Sequence, residues 1–215
     1  MEWVDGENLS EQIARVLRAS LISGQMIPGV TYSVPALAEE FGVSAMPVRE
    51  AMLALVQQGL MTPVRNKGFR VVELSAKDLD DIMQLRLMLE VPATVEVARE
   101  VTERTMRELR RLAREITRHA KSGQLVEYIE SDRLFHQTLI ALAGNPRLEE
   151  LVDELRSRSR LTGLDALAEH GDLSASAQEH LDMLEAIAAA DFSKLRTLME
   201  RHVRHSRGIW AGLAE

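Results

Sequence analysis

Asp132 and His136 stand four residues apart in the stretch ESDRLFHQTLIALAGN, and on a helix that spacing places both side chains on one face, one turn apart. A carboxylate and an imidazole so arranged are half of a divalent-metal site, a core histidine bonded to its neighbour, or a solvent-facing pair. An isolated pair of this kind is more often structural than ligating. Two further histidines sit on later helical segments, His180 in SAQEHLDML and His202 in LMERHVRHS. In a helical bundle, inward residues from several helices can meet at one point. One carboxylate with three imidazoles suits Zn²⁺, Ni²⁺ or Mn²⁺ and is too poor in oxygen for calcium. His205, three residues past His202, competes for the same role, because a small error in helical rotation exchanges the two. His119 and His170 read as surface residues.

The other chemistry on offer is contact with nucleic acid. Residues 9–23 carry Ile13, Val16, Leu17 and Leu21 on one helical stripe, and Gly24 followed by IPGV turns the chain. SVPALAEEFG is a short helix capped by Ser33 and ended by Gly42. Ser44 caps the next, AMPVREAMLALVQQG, with Pro47 in the first turn, where a missing N–H costs nothing. Two helices joined by a turn of about three residues form a helix-turn-helix. LMTPV, RNKG and FRVVEL then read as a β-hairpin, the wing that follows such a motif.

A recognition helix presents its first residues to base edges, here Ser44, Ala45, Met46, Pro47 and Arg49. Arg49 can donate two hydrogen bonds to a guanine, while Ser44 and the helix N-terminus can engage phosphate. In the wing, Arg65, Lys67 and Arg70 can neutralise phosphate, and Gly68 lets the backbone come close. The alternative is a winged helix used for protein contact, with Arg49 paired to Glu50 or Glu39.

Composition bounds these readings. The chain has 215 residues, 46% hydrophobic and 27% charged, an ordinary soluble composition with length for two domains. Net charge is −7, and residues 1–75 hold six basic against eight acidic side chains, so any DNA contact must be local; three of those six cations fall in RNKGFR. With no cysteine, disulfides and thiolate metal sites are excluded. No apolar run approaches the roughly 18 residues of a membrane span. The start, MEWVDGENLSEQ, lacks the apolar segment of a secretory signal, so a cytoplasmic protein is expected.

From residue 76 onward the pattern is helical: 76–99 interrupted by Pro92, then 103–121, 124–143, 147–168, 174–190 and 192–213. The expected fold class is mainly α, a winged helix-turn-helix with a small β-hairpin over 1–74 and an all-α antiparallel bundle over 75–215. Arg86 lies on the first bundle helix with Glu90 four residues on, a spacing that also makes an ordinary helix ion pair. There is no Ser-His-Asp order, no Gly-rich phosphate loop and no catalytic carboxylate pair, so an enzyme is not expected. A helical metalloenzyme would need an acid or base beside the metal, and Glu130 and Asp182, the nearest candidates, are not clearly aimed inward. A third class is a DNA-bound protein whose bundle only dimerises.

LISGQMIPG, LAEEFGVSAMPVREAMLALVQQGLM and NKGFRVVEL, followed by LRLMLE, resemble the GntR superfamily of bacterial transcription regulators. The helical second half resembles the FadR subfamily with its FCD domain, and the resemblance covers nearly the whole chain. It implies a homodimer on double-stranded operator DNA, a ligand-responsive repressor or, alternatively, an activator, with a divalent metal on Asp132, His136, His180 and His202. It further implies a small organic acid at the open metal positions, with Arg86 as the arginine that pairs with the acid's carboxylate. Three positions depart from the family pattern. Ala45 stands where an arginine is usual, Pro35 or Ala36 where another is common, and Met46 replaces a small polar residue. These departures imply an operator unlike the common family half-site, read mainly by Arg49 and the wing.

Overall fold

Helix caps legible in the sequence set the first elements. The structure, a computed structural model, describes residue 3, residues 8–160 and residues 173–210, the side chains of 22 and 206–210 excepted. Helix α1 (Leu9–Ile22) starts at Asn8, whose side chain accepts the Ser10 N–H. Strand β1 is Thr31–Tyr32. Helix α2 (Val34–Phe41) starts at Ser33, whose hydroxyl accepts the Ala36 N–H. Helix α3 (Ala45–Gln57) follows Ser44, whose hydroxyl makes no capping hydrogen bond. Strands β2 (Met61–Val64) and β3 (Gly68–Val71) form the expected hairpin. Ile13, Leu17, Val48, Met52, Leu55 and Phe69 make the core of this unit.

The hairpin is larger than the sequence indicated. The short β1 pairs antiparallel with β3, Thr31 against Arg70 and Tyr32 against Phe69, giving a sheet ordered β1-β3-β2. Two residues are too few to display strand alternation. Gly68 makes that pairing possible: its φ is +124°, and a Cβ there would lie 2.1 Å from the Tyr32 carbonyl oxygen. The close approach that this glycine permits is therefore to β1. Gly68→Ala is expected to cost about 3 kcal/mol through strain and lost pairing. Gly123→Ala, at φ +67° with open space around the new methyl, should cost about 1 kcal/mol. Urea unfolding of both variants checks the ranking, and equal costs would refute this role for Gly68.

The second unit is helical throughout its described residues. It comprises α4 (Ala76–Val97), a 3₁₀ turn (Ala98–Glu100), α5 (Glu103–Ser122), α6 (Leu125–Ile140), a 3₁₀ turn (Ala141–Ala143), α7 (Pro146–Ser159), α8 (Leu173–Ala188) and α9 (Phe192–Trp210). Ser75 and Asp78 close a capping box at the start of α4. Val91, Leu112, Ile116, Phe135, Leu139 and Met199 stand in its core. Pro92 does not interrupt α4. It lies on the exposed face, and so does Met88, whose carbonyl loses its N–H partner where water can replace it. Helix α7 ends at Ser159, and the stretch 161–168, expected to continue it, lies outside the described residues, as does His170. No described helix is long and apolar enough to cross a membrane.

The two units meet along α1 and the α3–β2 turn. Arg18 donates to the Gln58 side chain at 3.3 Å and faces Glu130 of α6 at 3.7 Å. Gly59, at φ +67°, packs against α7 so closely that a Cβ would lie 2.8 Å from Arg158 Cδ and 2.9 Å from Glu154 Cγ.

Candidate metal and DNA-contact sites

Asp132 and His136 project from α6 into the bundle, beside His180 of α8 and His202 of α9, and all four are buried. Their ligand atoms lie within 4.8 Å of one another. His136 Nε2 is 3.2 Å from His180 Nε2, and Asp132 Oδ1 is 3.1, 3.8 and 4.0 Å from Nε2 of His180, His136 and His202. Phe135 packs edge-on against the His180 ring, its centroid 4.9 Å away.

Hydrogen bonds on the outer side of two rings fix which nitrogen faces inward. His180 Nδ1 donates to the Ser176 carbonyl at 3.0 Å, and His202 Nδ1 donates to the Glu179 carboxylate at 2.8 Å. In the neutral ring Nε2 is then the lone-pair nitrogen. Neutrality is enforced: burial, then the Arg156 charge, pushes His180 down to about 4. Burial also pushes His202 to about 3 against the pull of Glu179. Burial and Arg156 hold His136 well below the usual range. A neutral His180 therefore aims a lone pair at a carboxylate oxygen 3.1 Å away, an acceptor facing an acceptor. A positive charge between them, a shared proton or a metal ion, makes that arrangement favourable. Metal–donor bonds of about 2.1 Å place neighbouring donors about 3.0–3.4 Å apart; the pairs that His180 makes with His136 and Asp132 have that spacing, and small shifts of His136 and His202 would complete the set for a divalent ion.

The geometry separates the two competing histidines. His205 Nδ1 meets Glu179 Oε1 at 2.8 Å with its side chain 28% exposed, whereas His202 reaches the cluster. His119, expected at the surface, is buried and shares a 3.2 Å hydrogen bond with Ser131. It continues the Leu109, Leu112, Ile116 stripe of α5, a periodicity that could have revealed it. Glu130 and Asp182 do not join the cluster: Glu130 is engaged by Arg133, and Asp182 accepts from Gln178 on an exposed face.

Arg86 meets the partner that helical spacing offered. Its Nε donates to Glu90 Oε1 at 2.5 Å, with both side chains buried. The sequence reading missed what lies beside it. Arg156 donates from Nη1 to Glu90 Oε2 at 2.6 Å and from Nη2 to Asp132 Oδ2 at 2.8 Å, while its Nε, also buried, makes no hydrogen bond. Arg160 also hydrogen-bonds Asp132 Oδ2. Arg156 and Arg160 are four apart in ELRSRSR, a signal open to the same spacing argument that found Asp132 and His136. Glu179, next to His180 in sequence, is the other omission. Three guanidinium groups thus surround Glu90 and Asp132, with the buried Glu179 as a third carboxylate on the far side of His202. Burial raises the Glu90 pKa, but Arg86 and Arg156 outweigh it and pull the group down to about 2.

These shifts share one sign. The unfolded chain binds more protons than the fold between the ordinary histidine range near 6.5 and about 3–4, and again between 4.5 and about 2. Stability of the metal-free protein is therefore expected to be full above pH 6.5 and to fall on acidification, by about 1.4 kcal/mol per pH unit for each group in its window. Urea midpoints from pH 7.5 to pH 4.5 measure this. A flat profile would contradict the buried neutral histidines.

The DNA-contact candidates sit where a helix-turn-helix presents them. Ser44, Met46 and Arg49 are exposed on the first turns of α3, with Met46 at 72%. No ion pair joins Arg49 to Glu39 or Glu50 among the described residues. Arg65 and Lys67 are exposed at the wing tip, and Arg70 is exposed on β3 with its Nε 3.4 Å from the Thr31 hydroxyl. Gly68 is turned toward β1.

Residues 9–71 match the model for bacterial regulatory proteins of the gntR family, and residues 81–205 match the FCD domain. The HTH-type transcriptional regulator McbR of Escherichia coli is 29% identical over 183 residues, 85% of this chain and 82% of that protein. The HTH-type transcriptional repressor RspR of the same organism is 25% identical over 199 residues, covering 91% and 86%. The solved E. coli McbR/YncC structure superposes with a TM-score of 0.79 at 26% identity, covering 95% of this chain and 97% of that one.

Proposed function

From the premise that this chain belongs to the gntR family of bacterial regulatory proteins and carries an FCD domain, we propose that it is a repressor controlled by a small organic acid at a divalent-metal site. As a transcriptional regulator it is not an enzyme. The observation that carries the finer reading is the pair of facing acceptors, His180 Nε2 and Asp132 Oδ1, inside a ring of neutral imidazoles. A divalent ion held by Asp132, His136, His180 and His202 supplies a Lewis-acid anchor for a carboxylate oxygen.

This chain's own residues supply the rest. The Nδ1 hydrogen bonds of His180 and His202 hold both rings with Nε2 inward. Asp132 is divided, Oδ1 toward the histidines and Oδ2 toward Arg156 and Arg160. Arg156 Nε, buried without an acceptor, is the donor we assign to the acid's carboxylate, because Arg86 already holds Glu90. A carboxylate that reaches Arg86 must displace Ser159 from Nη1 or Glu90 from Nε and Nη2. Repression is favoured by the likeness to RspR. On this reading two copies, working in the cytoplasm, place two α3 helices on two half-sites of one operator.

Operator duplexes recovered from a random pool test the DNA side. Arg49→Ala should weaken the recovered site by about 1–3 kcal/mol and relax the preference at one guanine. Neutralising Lys67 should lower affinity evenly across sequences and reduce the salt slope by about 0.9. Unchanged affinity and preference in Arg49→Ala would remove α3 as the reading element.

A further inference from the structure

The charged cluster behind the metal ligands continues to the seam between the two units. Arg160 is the residue shared by both. Its guanidinium, buried, hydrogen-bonds Asp132 Oδ2 and lies 3.5 Å from the Ile129 carbonyl oxygen. The same side chain lines a small cavity of about 20 Å³, room for about one water, together with Ile129, Arg133, Arg18, Leu21 and Leu60. Arg18 and Leu21 belong to α1, and Leu60 follows α3, so three of the lining residues come from the DNA-binding unit.

Two residues before Asp132 on α6, Glu130 holds Arg133 at 2.6 Å and faces Arg18 at 3.7 Å. Arg18 also holds Gln58, at the end of α3. One helix therefore carries a proposed metal ligand and the acid that faces the head. Arg160 bridges that ligand to the seam from the end of α7. Beside it, Gly59 lies against the Arg158 and Glu154 side chains of α7, so that a Cβ there would require them to shift.

We propose that Arg160 is a positioning residue that transmits occupancy of the metal site to the head, its hydrogen bond to Asp132 setting how α1 and the α3–β2 turn seat on α6 and α7. The proposal rests on the metal reading given above. Asp132 would hold the ion through Oδ1 while Oδ2 holds Arg160, so a shift of that carboxylate would move the Arg160 side chain within the cavity it shares with Arg18, Leu21 and Leu60. A packed interface of this kind has discrete arrangements, which both ends can bias.

Hydrogen exchange of the full-length protein, with and without saturating Ni²⁺, reads the seam directly. In the wild type, Ni²⁺ should change exchange at least threefold in peptides covering residues 15–22 and 56–61. In Arg160→Met at saturating Ni²⁺, that change should vanish while peptides around His180 still respond. Arg18→Met, which touches no proposed ligand, should bind Ni²⁺ as the wild type does and lose the response in α1. It also carries the test should Arg160→Met fail to fold. If both variants keep the wild-type change at the seam, the relay is wrong and the metal reading stands. If the wild type binds no Ni²⁺ by calorimetry, the metal reading fails and takes the relay with it.

Discussion

Zn²⁺, Ni²⁺ or Mn²⁺ added to metal-free protein is expected to raise the unfolding temperature by about 5–15 °C, and His136→Ala is expected to abolish the rise. The size follows from linkage. A ligand at 100–1,000 times its Kd adds about 2.7–4.1 kcal/mol, and for a chain of this length each kcal/mol moves Tm by about 2–4 °C. The sign follows from the site. Each imidazole is held neutral by burial, and two have their lone pairs turned inward by Ser176 and Glu179. Metal-free, these nitrogens and Asp132 Oδ1 face one another without a cation. His119→Ala is the control. That histidine is buried, yet it bonds Ser131 and lies outside the cluster, so its loss should lower Tm while leaving the metal-induced rise intact. A rise in His136→Ala equal to that of the wild type would place the ion elsewhere.

Arg156→Ala is expected to destabilise the fold by about 3–5 kcal/mol, a large part of the stability of a typical domain. The residue is among the largest fully buried side chains, and it ties Glu90 on α4 to Asp132 on α6. Its removal leaves two buried carboxylates with one arginine each and opens a cavity. Glu90 then loses part of what holds it near 2, so the pH span below 4.5 over which its protonation costs stability should narrow. Arg156→Lys keeps a charge but cannot span both carboxylates, and should fall between the two. Urea unfolding at pH 7 ranks them, and a cost below 1 kcal/mol for Arg156→Ala would show that the cluster does not organise the bundle.

The ends of the elements were legible because they depend on local chemistry. Ser75 with Asp78, Asn145 with Pro146, and Gly123 each signal a helix boundary within a few residues of sequence. The spacing of Asp132 and His136 placed them on one face for the same reason. Helical phase also explains His202 over His205, since His202 continues the buried stripe of Leu195, Leu198 and Met199. What escaped is tertiary. The four-residue spacing of Arg156 and Arg160 puts them on one face of α7, but that they reach Asp132 across helices depends on packing the spacing does not contain. Strand β1 exists only because β3 lies beside it and Gly68 admits it. Pro92 stays within α4 because its face is exposed, a fact that depends on neighbours the local pattern does not contain. The polar run of α5 concealed His119, whose place on the Leu109–Ile116 stripe outweighs its chemistry.

The central claim is that an organic acid at the Asp132–histidine site controls DNA binding. Its most direct test is the affinity of the selected operator duplex for metal-loaded protein, titrated with a panel of small mono- and dicarboxylates, wild type against His136→Ala. One member of the panel should shift the wild-type Kd by tenfold or more, and the same acid should leave His136→Ala unmoved. An equal shift in both proteins, or an operator affinity indifferent to metal and to every acid, would contradict the claim.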